Sequence, residues 1–285
     1  MPFTRADVLT AAQRSLAAAG SHDRAGWVGL FTADGRVEDP VGSAPHHGRV
    51  AIGRFYDTFI GPRTITAHVD GDIVVGGVMS GNTGGTVIRD VELEIEMADA
   101  LTMRVPTYIR YDLGTDGDQL RISALSAFWE LPAMVGQFAT GGLAAVPAGI
   151  SLGRAMFGNQ GLRGSLGFLT GFRGPGRSGK DVFARFLDGA CAGDEVGMRR
   201  LLPDSSVTLG DSDPITTSDL LKHVSGGVWD KLIASGRYVA GRVLRDGQRL
   251  VLIGEIAAGP GDDRVRISQV RMFAEVAPGA SDVRT

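Results

Sequence analysis

The chain has 285 residues, a formal net charge of −3, and 43% hydrophobic against 21% charged residues, which is typical of a soluble globular protein with one large or two smaller domains. A near-neutral balance without a stripe of lysine and arginine excludes the electrostatic surface expected of a nucleic-acid-binding protein. Cys191 is the single cysteine, so a disulfide framework and a cysteine metal site are excluded and a reducing, cytoplasmic location is expected.

The first 131 residues predict helices followed by strands. Apolar spacing indicates helices at 6–19 and 24–31, a strand at 36–39 and a helix at 49–59. Four β-rich runs with turn residues between them follow, at 64–77, 86–98, 101–113 and 120–131. This order predicts an α+β domain in which a curved antiparallel sheet forms a cone, with helices on its concave face and a small-molecule pocket inside.

Residues 132–178 have a different composition and are predicted to be a Gly-rich, apolar linker. Twelve of the 42 glycines lie here, and 131–153 contains no charged residue. That stretch is long enough to cross a bilayer, but Pro132, Pro147 and many small residues favour a packed connector. Its arginines, with no acids among them, leave two alternatives open: peripheral contact with an anionic membrane, or a cap over the pocket.

The end of the first domain recurs at the end of the chain. The segments "RISALSAFWEL" (121–131) and "RVRISQVRMFAEV" (264–276) share an R-I-S start and an F-x-E end. The chain is therefore predicted to contain a first domain at 1–131 and a shorter copy at 179–285. In that copy Leu209 or Gly210 falls at the position of Asp39, and Ala274 at that of Trp129. We expect a degenerate structural partner, so that the protein is a monomeric pseudo-dimer or a homodimer.

The segment "VEDPVGSAPHHG" (37–48) holds the main candidate for chemistry. Strand alternation places Glu38 and Asp39 on opposite faces. From the spacing alone, Asp39 is either an Asx turn before Pro40 or a carboxyl in the pocket. No third ligand lies near His46 and His47, so no metal site is expected.

A run of alternating acids, "RDVELEIEM" (89–97), gives a second candidate. Asp90, Glu92, Glu94 and Glu96 share one strand face, and apolar residues occupy the other. A solvated outer face explains this pattern, but an acid face aimed at the pocket would supply a second catalytic carboxyl.

The first domain resembles the ketosteroid isomerase and SnoaL-like branch of the nuclear transport factor two superfamily. The resemblance covers about residues 5–131 and depends on "GLFTADGRVEDPVGSAPHHG", the following "AIGRFYDTF" and, more weakly, "SAFWEL". It implies that Asp39 is a general base that moves a proton between two carbons of a steroid-like ligand.

The resemblance also implies a set of helper and ligand-binding residues. The family's two oxyanion donors, a tyrosine and a protonated aspartic acid, fall on Ser15 and Thr107, which are weaker donors. Tyr56 matches a supporting tyrosine, and Trp129 an aromatic residue against the ligand. Further ligand contacts are expected from Phe55, Val105 and Phe31.

Three functions remain open. The first is ketosteroid isomerase-like proton transfer, a steroid Δ-isomerase type of activity on a hydrophobic polycyclic or polyketide-like ligand, with no cofactor. The second is an epoxide-opening cyclase or hydrolase, as in the related cyclases of polyether biosynthesis, which needs an acid pair in the pocket. The third is a non-catalytic steroid or lipid carrier, consistent with the replaced donors and the degenerate second copy.

Overall fold

The computed structural model describes residues 3–76, 84–97, 102–140, 158, 174–202, 206–258 and 265–275. The chain divides into two compact units, Met1–Phe172 and Arg173–Thr285. Most of the segment predicted as a linker, namely 141–157 and 159–173, lies outside the described residues.

The first unit begins with two capped helices. Helix α1 spans Arg5–Gly20 and starts with a capping box between Thr4 and Asp7, which satisfies backbone N–H groups at the helix start. Helix α2 spans Arg24–Gly29, and the Asp23 side chain accepts from its first turn.

Two further helices follow at other points of the first unit. Helix α3 spans Gly48–Phe55 and continues into a π-helical turn at Tyr56–Ile60. Helix α4 spans Leu131–Thr140, so the first residues of the predicted linker are helical.

The first unit's sheet has six strands in the spatial order β2-β1-β6-β5-β4-β3. The strands are β1 Phe31–Glu38, β2 His46–His47, β3 Thr64–Gly76, β4 Gly85–Glu96, β5 Thr102–Asp116 and β6 Gln119–Phe128. Strand β1 pairs parallel with β6, whereas the other neighbours are antiparallel. The sheet is therefore mixed, since the described strands include the parallel pairing of β1 with β6 in addition to the predicted antiparallel ones.

The core of the first unit lies between the helices and one face of this sheet. Val8 and Ala12 of α1 and Trp27 of α2 belong to one buried apolar cluster with strand residues such as Val91 and Ile109. Burying this face is the main favourable contribution to the domain's stability. It also fixes the positions of the strand ends near Asp39.

The second unit repeats the same topology. Its helices are α5 Gly176–Ala192, α6 Glu195–Leu201 and α7 Thr217–Val224. Its strands are β7 Ser206–Leu209, β8 Asp213–Pro214, β9 Val228–Ser235, β10 Tyr238–Arg245, β11 Gln248–Ala258 and β12 Val265–Ala274, in the order β8-β7-β12-β11-β10-β9. The strand order and the one parallel pairing, β7 with β12, match those of the first unit. The prediction of tandem α+β domains is thus confirmed.

Strand register establishes which residues of the two units are equivalent. In the first unit Val37 pairs with Leu125, and in the second Val207 pairs with Val270. Continuing two residues along the first strand places Leu209 at the position of Asp39. In the last strand, aligning Leu125 with Val270 places Ala274 at the position of Trp129. The second unit therefore has apolar residues where the first has its acid and its tryptophan.

Candidate functional site

The first unit contains an apolar cavity of about 220 Å³. Its walls come from the region around the π-helical turn, from strands β3 to β5, and from helix α4. The lining residues are Asp39, Phe55, Phe59, Ile60, Arg63, Ile65, Leu93, Ile95, Met97, Met103, Val105, Trp129, Leu131, Met134, Val135 and Phe138. Asp39 and Arg63 are the two charged residues in this set, and the rest of the described lining is hydrophobic.

Asp39 is positioned by the parallel pairing of β1 with β6. It directly follows β1, and Trp129 directly follows β6, so both side chains emerge at the same end of the sheet. The Val41 N–H donates to the Ala127 carbonyl at 2.8 Å and holds the turn against β6. The Trp129 Nε1–H then donates to Asp39 Oδ1 at 2.5 Å.

Glu38 has a different, structural role. Its Oε1 accepts a hydrogen bond from the Gly42 N–H at 2.8 Å, which closes the turn after β1. Gly42 has a φ of 95°, a conformation that glycine adopts more readily than other residues. Glu38 does not line the cavity. Of the two adjacent acids, only Asp39 faces the cavity.

The environment of Asp39 makes it a stronger base than an ordinary aspartate. Burial disfavours the charged carboxylate and raises the pKa of Asp39 to about 6, while the hydrogen bond from Trp129 lowers it. At neutral pH the carboxyl is mostly ionised, yet its pKa is close enough to the working pH for general base catalysis.

The three predicted helper residues do not line the cavity. Ser15 is buried on α1. Thr107 is buried on β5 and its hydroxyl donates to the Val105 carbonyl at 3.0 Å. The Tyr56 hydroxyl is buried and makes no hydrogen bond within the described part of the chain. The described geometry thus gives none of these three groups direct access to a ligand.

Tyr111 is a buried polar residue that the sequence reasoning did not single out. Its side chain is fully buried, and its hydroxyl lies near the Ser15 side chain of α1. Burial raises the pKa of Tyr111 to about 12; Ser15 lowers it, and the charge of Asp39 contributes a further increase. The sequence contained a signal for the burial of Tyr111, because strand alternation places it on the same face of β5 as Val105.

Three of the four predicted ligand contacts line the cavity: Phe55, Val105 and Trp129. Phe31 does not, and that expectation is corrected. It begins β1 and packs against Trp27, with ring centroids 4.9 Å apart. Phe31 and Glu38 pair with Ile122 and Ser126 of β6, which are four residue steps, or roughly 13 Å, apart along a strand.

Helix α4 forms a wall of the cavity, and the sequence indicated this only as one alternative, a cap over the pocket. Leu131, Met134, Val135 and Phe138 line the cavity and are spaced as one face of a helix. The Gln137 side chain accepts from the Arg104 N–H at 3.2 Å and donates to the Arg104 carbonyl at 3.0 Å, which docks the helix on β5. Their i, i+3, i+4, i+7 spacing is the signal for this wall in the sequence, although the composition of the segment is that of a linker.

The alternating acids of β4 do not supply a second carboxyl to the cavity. Leu93, Ile95 and Met97 line it, whereas Glu92 and Glu94 form ion pairs with Arg104 at 3.1 and 3.0 Å. Asp90 is buried but lies outside the cavity lining. Among the described lining residues, Asp39 therefore has the only carboxyl group.

The part of the chain that the structure describes contains no group of three histidine, cysteine or acidic residues arranged to hold a metal ion. The His46 ring instead packs against Phe55, with centroids 5.1 Å apart.

No helix within the described ranges has the length and apolar character needed to cross a membrane.

Comparison with protein families gives a match in the first unit. Residues 12–118 match the family model of the SnoaL-like domain. The first unit contains a SnoaL-like domain. The match includes Asp39 and most of the cavity wall, while Trp129 and helix α4 follow it in the chain.

Solved structures are also similar to this chain. A Δ5-3-ketosteroid isomerase from Mycobacterium sp. shares 27% identity over 45% of this chain and 96% of its own, with a TM-score of 0.38. A Mycobacterium tuberculosis protein in complex with estradiol-17β-hemisuccinate shares 25% identity over 44% and 95%, also with a TM-score of 0.38. A computationally designed 17-OHP binder shares 23% identity over 44% and 95%, with a TM-score of 0.38.

Proposed function

We propose that the SnoaL-like domain binds a hydrophobic small molecule and catalyses proton transfer on it, with Asp39 as the general base. The activity would be most nearly that of a ketosteroid isomerase. The observation that carries this proposal is a single carboxyl, with its pKa raised to about 6, in an otherwise apolar part of the described cavity.

The proposed reaction requires no cofactor. In a β,γ-unsaturated ketone, the Asp39 carboxylate removes a proton from the carbon between the carbonyl and the alkene. The electron pair of the broken C–H bond forms a dienolate, and Asp39 becomes the neutral acid. Asp39 then returns the proton to the γ-carbon, the alkene moves into conjugation, and the carboxylate is regenerated. Burial assists the first step because it favours the neutral form of the carboxyl.

Stabilisation of the dienolate oxygen is the weak part of this site. Ser15, Thr107 and Tyr56 do not line the cavity, and the Trp129 N–H is already bonded to Asp39. Each missing oxyanion donor typically costs about 3 kcal/mol, so two would slow the reaction by roughly four orders of magnitude. We therefore expect slow turnover that still depends on Asp39.

The size of the cavity limits the part of a ligand that it encloses. Its volume of about 220 Å³ is below the ~300–1,000 Å³ of pockets that enclose drug-sized ligands. The cavity suits a compact ring system, or the reacting end of a larger polycyclic molecule whose remainder extends past the wall.

A non-catalytic carrier is the second candidate function. It is favoured by the burial of the Tyr56 and Tyr111 hydroxyls, neither of which lines the cavity, so that neither is placed to donate to a dienolate oxygen. The epoxide-opening alternative is not supported, because the described lining offers no second carboxyl.

Androst-5-ene-3,17-dione, a β,γ-unsaturated 3-ketosteroid, distinguishes the two candidates when enone absorbance is followed over time. Asp39→Asn removes the base but keeps an oxygen that accepts from Trp129. Asp34→Asn is the matched control, since Asp34 is an exposed acid on the same strand. Proton transfer predicts turnover in the wild type and in Asp34→Asn but not in Asp39→Asn. Ligand binding without any Asp39-dependent turnover would identify a carrier.

A further inference from the structure

Arg63 is a charged residue of the cavity that the proposed proton transfer does not use. Only 9% of its surface is exposed, and it lines a cavity that is otherwise apolar apart from Asp39. Buried cations are normally paired with an acid, because removing a charge from water is costly. No carboxylate among the described residues forms an ion pair with Arg63.

The protein fixes the Arg63 guanidinium but uses little of its hydrogen-bonding capacity. Nη1 donates to the Thr58 carbonyl at 2.7 Å, and the Arg63 backbone N–H donates to the Ile60 carbonyl at 3.0 Å. The guanidinium also lies 6.0 Å from the centre of the Phe59 ring. A guanidinium has five N–H donors, so most remain available for a ligand after the bond to Thr58.

These contacts compensate the charge only in part. The carbonyls at the C-terminal end of the π-helical turn carry partial negative charge, which favours a nearby cation. Burial nevertheless lowers the pKa of Arg63 to about 10, so the charged form is less favourable here than in water. Arg63 still carries its charge at neutral pH, and a bound anion would stabilise it.

Asp39 is not that anion. The Asp39 carboxylate accepts from Trp129 and is not among the ion pairs that the described residues form within 4.0 Å. The two charged groups therefore act as separate features of the same cavity. One ligand can therefore contact Asp39, the base, and also place an anionic group at Arg63.

Arg63 also borders water. It lines a second, polar depression of about 510 Å³ together with His22, Thr64 and Glu96. Glu96 is exposed, so its charge is largely screened by solvent. An anionic group placed at Arg63 would keep one side hydrated while the apolar body of the ligand occupies the cavity.

We propose that Arg63 is an anion-binding residue and that the ligand of this domain is a hydrophobic organic acid, with an apolar ring system and one carboxylate, sulfate or sulfonate group. This inference rests on the proposal that the cavity is the ligand site, but not on the chemistry of Asp39. It assigns the orientation of the ligand, with its anionic group at Arg63 and its apolar body toward Asp39.

Two fluorescent probes with the same aromatic skeleton test this inference. 8-Anilinonaphthalene-1-sulfonate carries a sulfonate that N-phenyl-1-naphthylamine lacks. In the wild type we expect the sulfonate to bind at least about tenfold more tightly, since a hydrogen bond to a charged group typically contributes a tenfold to hundredfold gain. Arg63→Met should reduce the ratio of the two dissociation constants to near one, and Arg63→Lys should retain part of it.

The ratio of the two dissociation constants distinguishes an anion-binding role of Arg63 from a structural role. Loss of the bond to Thr58 would weaken both probes together and leave their ratio unchanged. Glu96→Gln is the matched control, an exposed charge in the same depression, and should change the ratio by less than about twofold. Equal affinities of the two probes in the wild type, no binding of either, or an unchanged ratio in Arg63→Met would overturn the proposal.

Two steroids that differ in one anionic group test the role of Arg63 independently of the reaction proposed for Asp39. 3-Oxoandrost-4-ene-17β-carboxylic acid and its methyl ester differ only in the anionic group. Anion preference that depends on Arg63, without Asp39-dependent turnover, would support the ligand class and reject the proposed chemistry. Asp39-dependent isomerisation with equal binding of acid and ester would support the chemistry and overturn the role of Arg63.

Discussion

Asp39→Asn should make the SnoaL-like domain more stable at neutral pH. The pKa of Asp39 rises from 3.8 to about 6 on folding because burial penalises its carboxylate. The difference of about 2 pKa units, at 1.36 kcal/mol per unit, corresponds to a cost of about 3 kcal/mol, which is an upper bound because the Asp39 side chain is only partly buried. Asparagine carries no charge and still accepts from the Trp129 indole, so the substitution removes the cost and keeps the contact.

The sign of the pH dependence follows from the raised pKa. The cost is fully present above pH 6, decreases as the pH falls, and is nearly absent at pH 3.8, where the unfolded carboxyl is half protonated. The advantage of Asp39→Asn should thus be about 3 kcal/mol at pH 7.5, about half of that at pH 5, and below about 1 kcal/mol at pH 4.

Urea unfolding followed by circular dichroism at these three pH values measures the effect. The exposed Asp34→Asn variant should show no comparable change with pH. If Asp39→Asn is less stable than the wild type at pH 7.5, or if its advantage does not change with pH, the carboxyl is not desolvated as described. Asp39 would then lack the raised basicity on which the proposed reaction depends.

Two further substitutions test the walls of the site. Trp129→Phe removes the hydrogen bond that lowers the pKa of Asp39, so the midpoint of the pH–rate profile should move upward; an unchanged midpoint would contradict the contact. Phe138→Ser removes an aromatic side chain from the face of α4 that lines the cavity, and should weaken N-phenyl-1-naphthylamine binding by roughly fivefold to thirtyfold through a loss of about 1–2 kcal/mol. Unchanged affinity in Phe138→Ser would show that α4 does not cover the bound probe.

Local patterns were sufficient to predict the main features of both domains. Alternation along β4 separated Leu93 and Ile95 from Glu92 and Glu94, because successive strand residues point to opposite faces. The recurring R-I-S segments aligned the last strands of the two units, and the observed register places Leu209, one of the two residues predicted there, at the position of Asp39.

Features that depend on long-range pairing were not predictable in the same way. Periodicity shows which face of a strand is apolar but not its neighbour, so the parallel pairing of β1 with β6 was not foreseen. That pairing brings Trp129 to Asp39, and it leaves Phe31 at the far end of β1 in the core.

Arg63 and Tyr111 were also not predicted as parts of the site, and helix α4 only as one alternative, because their roles depend on how the domain packs. Arg63 and Tyr111 lie in segments that carry no sequence motif, and their importance comes from burial, in the case of Arg63 without an ion-pair partner among the described residues. Helix α4 was assigned to the linker because its composition resembles the apolar, Gly-rich stretch that follows it. Burial and partners are properties of the packed domain rather than of the local sequence.

The pH dependence of enone formation from androst-5-ene-3,17-dione, compared between the wild type and Asp39→Asn, tests whether Asp39 is the general base. We expect a slow wild-type reaction whose kcat/KM rises with an apparent pKa of about 6, since the active form of Asp39 is the carboxylate, and no such reaction in Asp39→Asn. Equal rates for the two proteins, or a wild-type rate that does not rise between pH 5 and pH 7, would contradict this role of Asp39.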